Sequence, residues 1–313
     1  MSITVIKAGL QSSVQAGPFR ALRRLAVPSG GAADTLSLAL ANRLVGQPYD
    51  AAAIEITLGP AEFRADQAMA VAVTGAPCQV EINGEEVEPH HTLHLKAGDR
   101  ISIGRVWAGC RVYLASSAPI AVPAVLGSQS TLIGAGFGGL EGRALADGDV
   151  IPTHGSDGRT DDLVTPAELQ PFFGHGFVLR VVAGPESDRL ALGMAALARK
   201  RWRVSSRSSR MGLKLQGTAI DLNSATPIRS GAVFPGIIQC PPDGMPYLIG
   251  CEGQTTGGYP RIAQVIRADR HLIGQLAPNA TMLLVPVQPE QAEQILAEKI
   301  GLWGEWLPGL TLS

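Results

Sequence analysis

Residues 79–103, QVEINGEEVEPHHTLHLKAGDRISI, set the architecture. Val80 and Ile82 alternate with polar neighbours and run into Asn83-Gly84. That pair suits a two-residue hairpin turn, whose central positions both need positive φ. Leu93 and Leu95 alternate again, Gly98-Asp99 marks another turn, and Ile101 and Ile103 resume the period of two. Strands this short and this close leave no room for a crossover helix. The region therefore reads as an antiparallel barrel or sandwich.

The flanking sequence follows the same grammar. Ile3 to Ile6, Ala70 to Val73 and Val112 to Ala115 are apolar strands, and Gly148-Asp149 repeats the Gly-Asp device. One helix interrupts them. Asp34 or Thr35 caps it, Leu36, Leu40, Leu44, Ala41 and Val45 form its apolar stripe, Asn42 and Arg43 face elsewhere, and Gly46 ends it. Pro152, Gly155, Asp157, Gly158, Asp161, Asp162, Pro166, Pro171, Gly174 and Gly176 then crowd together, which places a domain boundary there and predicts domains at 1–165 and 166–313. The second half is expected to open with a strand from Phe177 to Val182. A helix follows, capped by Ser187 or Asp188, with Leu190, Met194, Leu197 and Ala198 as its stripe. Strands return near Lys214, Ile237, Tyr247, Val265 and Leu283, and a last helix runs from Pro289 to just before Gly301.

Composition narrows the function classes. Hydrophobic residues at 45% and charged residues at 17% supply a sizeable core and argue against disorder. With a formal net charge of -1 and no basic stripe, a nucleic-acid partner is not expected, and Arg23-Arg24 and Arg199 to Arg201 read as solvated faces. Met1 to Gly9 has no apolar signal segment, and no apolar run approaches the roughly 20 residues needed to cross a bilayer, so a cytoplasmic location is expected. The 4 cysteines form no C-x-x-C pair and read as reduced thiols. Cys240 and Cys251 are the candidates for a nucleophile, and a buried bystander is the favoured reading for each.

Several motifs fail on context. Gly134-Ala-Gly136-Phe-Gly-Gly139 spells a dinucleotide fingerprint, but no helical period follows it. No Gly-Lys-Ser/Thr phosphate loop is present. On a strand His90 and His94 would share one face and His91 the other, so no metal centre is expected. No carboxylate pair at helical spacing and no G-x-S-x-G stands out.

The chemistry concentrates in the second half. Ser209-Arg210-Met211-Gly212, Gly236 to Gly244 and Gln254-Thr255-Thr256-Gly257-Gly258-Tyr259-Pro260 are too rich in small and polar residues to be core. Such segments either bring backbone close to a ligand or form tight β-turns. Gln, Thr, Arg and Tyr bind amides and carboxylates without a reactive nucleophile.

Q-T-T-G-G-Y-P closely matches the signature of the biotin-dependent carboxyltransferase family, also called allophanate hydrolase subunit 2. The C component of bacterial 5-oxoprolinase and the carboxyltransferase region of urea carboxylase belong to it. Ser208, Arg210, Met211 and Gly212 match its S-x-R-M-G, and Gln239, Pro241, Asp243 and Gly244 match its Q-x-P-x-D-G. Gly31 to Asp34, Ala41 to Gly46, Glu55 to Thr57, Thr74 to Ala76 and Gly127 to Thr131 also look like it, so the resemblance spans nearly the whole chain. Ala16, Ser209 and Glu252 stand where the family usually has Asp.

The resemblance implies a mainly β fold with a few helices, built as two cyclophilin-like β-barrel domains. It implies a heteromeric complex with a partner like the B component of 5-oxoprolinase, encoded nearby, and with an A-like protein in the three-component arrangement. The activity implied is ATP-dependent opening of 5-oxoproline to glutamate, with no ATP site assigned. Two alternatives stay open. One is transfer of a carboxyl group to urea or a related amide from carboxybiotin held by another protein. The other is a non-catalytic regulator that binds a kinase-inhibitor-like partner. The lysines are Lys7, Lys96, Lys200, Lys214 and Lys299, none within Met-Lys-Met, so no biotin is expected on this chain. By motif position, Arg210 is expected to bind an anionic oxygen. Gln239 and Gln254 would hold the amide. Thr255, Thr256 and the Gly257-Gly258 backbone would serve a developing oxyanion, and Tyr259 would orient substrate or relay a proton. Asp34 and Glu55 from the first half would bind or order the substrate.

Overall fold

Strands of period two dominate the computed structural model, which describes residues 1–155, 161–174, 176–198, 200–224 and 228–311. Asp157, Gly158 and Arg199, singled out in the sequence, lie outside the described residues. The chain divides into two compact units. Met1–Phe19, Gly30–Phe173 and Trp306–Leu310 form the first; Arg20–Ser29, Gly174–Glu305 and Thr311 belong to the second. The expected division at 165/166 falls inside the first unit. There the Thr165 N–H donates to the His90 carbonyl at 3.0 Å, and Leu169 and Phe173 are buried. Proline and glycine mark the loop, but packing of these side chains decides where the unit ends.

The first unit contains β1 (Ser2–Lys7), β2 (Gln11–Gln15), α1 (Thr35–Leu44), β3 (Ala53–Thr57), β4 (Ala61–Ala65), β5 (Met69–Gly75), β6 (Val80–Ile82), β7 (Glu85–Val87), β8 (Leu93–Leu95), β9 (Arg100–Ile103), β10 (Arg111–Ser116) and β11 (Val150–Pro152). One sheet has the order β11-β1-β4-β9-β6-β7 and the other β2-β3-β10-β5-β8. Both enclose a single core: Val5, Phe63 and Ile101 from one sheet pack with Ile54, Val71 and Leu114 from the other. Asn83 and Gly84 take φ of 54° and 87° and close the β6–β7 hairpin, as their sequence predicts. Asp34 caps α1 by accepting from the N–H groups of Leu36 and Ser37 at 3.1 and 3.0 Å. The helix is buried nearly all round, and Asn42 does not face away. Its Nδ2 donates to the carbonyls of Tyr49 and Ala51, fixing the turn that leaves the helix.

The second unit contains β12 (Gly176–Ala183), α2 (Ala195–Ala198), β13 (Arg201–Val204), β14 (Gly212–Gln216), β15 (Gly231–Ala232), β16 (Ile237–Gln239), β17 (Tyr247–Ile249), β18 (Thr256–Gly257), β19 (Arg261–Val265), β20 (Thr281–Pro286) and α3 (Pro289–Gly304). Seven strands close a barrel in the order β12-β19-β16-β17-β14-β13-β20, sealed by the parallel pair β12–β20. Alternate residues point inward: Leu179, Val181, Trp202, Val204, Leu215, Leu248 and Leu284 are buried. β15 and β18 form a separate two-stranded ladder.

Two helix expectations change. The helix predicted after Ser187 breaks into a 3-10 turn (Ser187–Arg189), a bridge between Leu190 and Leu222, and the single turn of α2. Gly193 adopts φ of +58°, which a continuing helix does not allow. α3 starts at Pro289 as expected, with a capping box between Gln288 and Gln291, but runs through Gly301 to Gly304. Buried Trp303 anchors that last turn. No helix among the described residues is long and apolar enough to cross a membrane.

Candidate functional site

The Q-T-T-G-G-Y-P stretch is a loop clipped to the second unit by backbone bonds. Thr256–Gly257 pairs with Gly231–Ala232, the Val233 N–H donates to the Thr255 carbonyl at 2.9 Å, and the Ile228 N–H donates to the Gly258 carbonyl at 3.1 Å. This leaves the side chains of Gln254, Thr256 and Tyr259 exposed and Thr255 half-buried. Beneath them lies Gln239, buried at the end of β16. Its Nε2 donates to the Tyr259 carbonyl at 3.1 Å, and its Oε1 accepts from Gln254 Nε2 at 3.4 Å. Gly257 is required by this contact: a Cβ there would lie 2.6 Å from Gln239 Nε2. Gln239, Gln254, Gly257 and Tyr259 are thus brought together as the sequence predicts, with Thr255, Thr256 and Gly258 on the same loop. Asp243 and Gly244 of the neighbouring motif make a turn, in which Asp243 Oδ1 accepts from the Met245 N–H and Gly244 takes φ of +70°.

Arg210 lies buried in the second unit. It occupies the tight turn Ser209–Gly212, and its Nε donates to Glu252 Oε1 at 2.5 Å. The two side chains are 4% and 5% exposed, so the charge is matched inside the fold and does not reach solvent. The Glu252 N–H also donates to the Arg210 carbonyl at 3.0 Å. The Arg210 turn is thereby joined to the segment that leads through Glu252 to Gln254. The Glu in place of the family's Asp serves as its counter-ion.

Asp34 and Glu55 belong to the first unit, where both are buried and hydrogen-bonded. Besides capping α1, Asp34 accepts from the Ser37 hydroxyl at 2.6 Å. Glu55 Oε2 accepts from the Tyr113 hydroxyl at 2.7 Å and the Ala33 N–H at 2.9 Å, and Oε1 accepts from Arg111 Nε at 3.1 Å. The Tyr113 oxygen in turn accepts from the Asp34 N–H. Burial and the Glu55 and Asp34 charges push the Tyr113 phenol well above its usual range, which keeps it a donor. This network shapes the Gly30 to Asp34 turn, where the sequence predicts substrate contacts.

Other candidates fall away. Burial, with Asp243 nearby, pushes the Cys240 thiol up to about 11, so it is no thiolate nucleophile at neutral pH. The histidines have separate partners: His90 meets Thr165 Oγ1, His91 the Pro89 carbonyl, and His94 Asp162 Oδ1. Among the described residues no group of three or more His, Cys, Asp or Glu is placed to hold a metal ion. The Gly134–Gly142 loop packs against nearby backbone, since a Cβ on Gly138 or Gly142 would collide with Ser130 or Gly136. No helix follows it to present N–H groups to a phosphate. The residues there do not fit ATP.

One contributor is not legible in the sequence. Arg24 is exposed as expected, but Arg23 is half-buried against the candidate loop. Its Nη2 donates to the Val233 carbonyl and, at 3.5 Å, to the Gln254 carbonyl. The only signal in the sequence is a positive pair in a Pro- and Gly-rich stretch.

The second unit is thus a closed β-barrel with a loop of carboxamide, hydroxyl and glycine residues, groups that suit hydrogen bonding to amides and carboxylates. The chain belongs to the carboxyltransferase domain family, subdomain A and B, which matches residues 25–286. It is 36% identical to the C component of 5-oxoprolinase from Escherichia coli, over 93% of this chain and 93% of that protein. It is 29% identical to urea amidolyase of Saccharomyces cerevisiae, over 94% of this chain but 17% of that protein. The urea amidolyase structure from K. lactis superposes with a TM-score of 0.90 at 27% identity, covering 100% of this chain and 20% of the larger one. These relatives are parts of enzymes named for action on 5-oxoproline or urea, and the letter C in the bacterial relative's name places it among further subunits.

Proposed function

We propose that this chain is the C-type subunit of an ATP-dependent 5-oxoprolinase, an amidohydrolase that opens 5-oxoproline to glutamate together with B-like and A-like partner subunits. The observation that carries this reading is the 36% identity to a 5-oxoprolinase subunit, sustained over 93% of both chains. In the reaction water adds to the lactam carbonyl carbon and the ring C–N bond breaks. The nitrogen leaves with a proton, and the carbonyl becomes the second carboxylate of glutamate. ATP supplies the driving force, and no residue of this chain is assigned to it.

Within this chain, exposed Gln254 is suited to hold the lactam amide, because a carboxamide offers both a donor and an acceptor, and buried Gln239 orients it from beneath. Gln239 is pre-oriented by the Tyr259 carbonyl, so little side-chain freedom is lost on binding. The Thr255 and Thr256 hydroxyls could donate to an oxyanion, and the exposed Tyr259 phenol is suited to orient the ring or pass a proton. Gly257 keeps the loop low over Gln239, and Arg210 holds the loop's approach through Glu252.

The test is ATP-dependent glutamate formation from 5-oxoproline by this chain mixed with its neighbouring subunits, each omitted in turn. Activity that disappears without this chain is expected. A folded, complete mixture that forms no glutamate overturns the reading. The second reading, carboxyl transfer to urea from carboxybiotin carried by another protein, draws on the TM-score of 0.90 with urea amidolyase. It predicts urea-dependent consumption of bicarbonate and ATP once a biotin carboxylase and carrier are supplied.

A further inference from the structure

Arg23 differs in its surroundings from Arg180, Arg210 and Arg261 of the second unit. Arg180 meets Asp269, Arg210 meets Glu252 and Arg261 meets Glu186, each through charge-assisted bonds. Arg23 has no carboxylate partner among the described residues. Its guanidinium is held by neutral acceptors alone: the Ser29 hydroxyl at 3.1 Å from Nη1, and the Val233 and Gln254 carbonyls from Nη2. It lies 5.2 Å from the centre of the half-exposed Phe234 ring. Burial lowers its pKa with no acidic neighbour offsetting the effect. Even so the group remains fully charged at neutral pH.

A fixed, partly desolvated cation whose partners are all neutral keeps its whole charge available to a ligand. Its five N–H donors are not exhausted by these acceptors. The contact with the Gln254 carbonyl brings that charge to the backbone of the residue whose carboxamide is proposed to grip the amide. We infer that Arg23 binds an anionic oxygen of the substrate, so that this site selects a small amide bearing a carboxylate over a neutral amide such as urea. The inference rests on the amide-binding reading of the loop and deepens it, because it separates the two substrate classes its relatives are named for. The same chemistry would suit a phosphoryl oxygen of ATP, which the experiment must distinguish.

The experiment is calorimetric titration of the assembled complex with 5-oxoproline, its neutral methyl ester, 2-pyrrolidinone and ATP, using wild type, Arg23→Gln and Arg23→Lys. Wild type should bind 5-oxoproline roughly 10- to 100-fold more tightly than either neutral lactam, the range of a charge-assisted bond. Arg23→Gln should bring that ratio close to one, and Arg23→Lys should keep much of it. A ratio that Arg23→Gln leaves unchanged overturns the inference, even if both affinities fall together, since Arg23 would then be a structural clasp. A wild type that does not distinguish acid from ester overturns it without any variant. Weakened ATP binding with an unchanged lactam ratio assigns the charge to the nucleotide and overturns it too. A complex that shows the Arg23-dependent preference but forms no glutamate refutes the amidohydrolase reading and leaves this one standing.

Discussion

Replacing Arg210 with alanine removes one half of an ion pair whose members are 4% and 5% exposed and 2.5 Å apart. The carboxylate of Glu252 would remain inside without its counter-ion, a change that costs about 3–5 kcal/mol in comparable buried pairs. A unit of this size loses about 2–4 °C in Tm per kcal/mol, so Arg210→Ala should unfold about 6–20 °C below wild type. Near-UV circular dichroism during a thermal ramp reads this directly. The double variant Arg210→Met with Glu252→Leu replaces the pair by apolar groups of similar reach and should recover most of the lost Tm. Activity in the assembled enzyme then separates two roles. If Arg210 positions the loop, recovery of Tm brings back part of kcat/KM. If it touches substrate, Tm returns and activity does not. A single variant within about 2 °C of wild type would contradict the buried pairing itself.

Gly257→Ala should lower kcat/KM strongly while costing only about 1–3 kcal/mol of stability, because its Cβ would sit 2.6 Å from Gln239 Nε2 and push the carboxamide off its anchor. A variant with wild-type kinetics would remove Gln239 from the site. Asp34→Ala strips the cap of α1 and should destabilise the first unit by about 1–2 kcal/mol in a denaturant titration. Loss of activity with unchanged stability would instead make Asp34 a substrate ligand. Burial, with His91 adding to it, depresses His90 to about 4, so folding favours its neutral form. Its contribution to stability is complete above pH 6.5 and declines as pH falls from there toward 4, a loss of about 3 kcal/mol in all. His90→Phe should flatten the Tm profile between pH 6.5 and 4, and an unchanged slope would place the titration elsewhere.

What could be read from sequence was local. Asn83-Gly84, the Asp34 cap and Pro289 each obey rules that span a few residues, and each sits where those rules put it. Gln239 and Gln254, carried by a short turn motif and a seven-residue motif, do lie in contact. Long-range pairing was invisible. Glu252 neutralises Arg210 from 42 residues away, and Arg23 reaches a carbonyl 231 residues on, so neither partner leaves a trace in the local pattern. The broken helix after Ser187 failed for the opposite reason. Its leucine spacing is helical, but Leu190 is claimed by a bridge to Leu222.

The parallel seal of the barrel bears on how the protein is made. β12 is complete at Ala183, yet its partner β20 starts only at Thr281. During translation the nascent barrel must wait, with strand edges open, until that last strand clears the ribosome. Pairing over such a separation is slow, and unpaired edges invite other chains. The interval between those two strands is therefore when chaperone engagement would matter most, and chains stalled before Thr281 should be the species that aggregate.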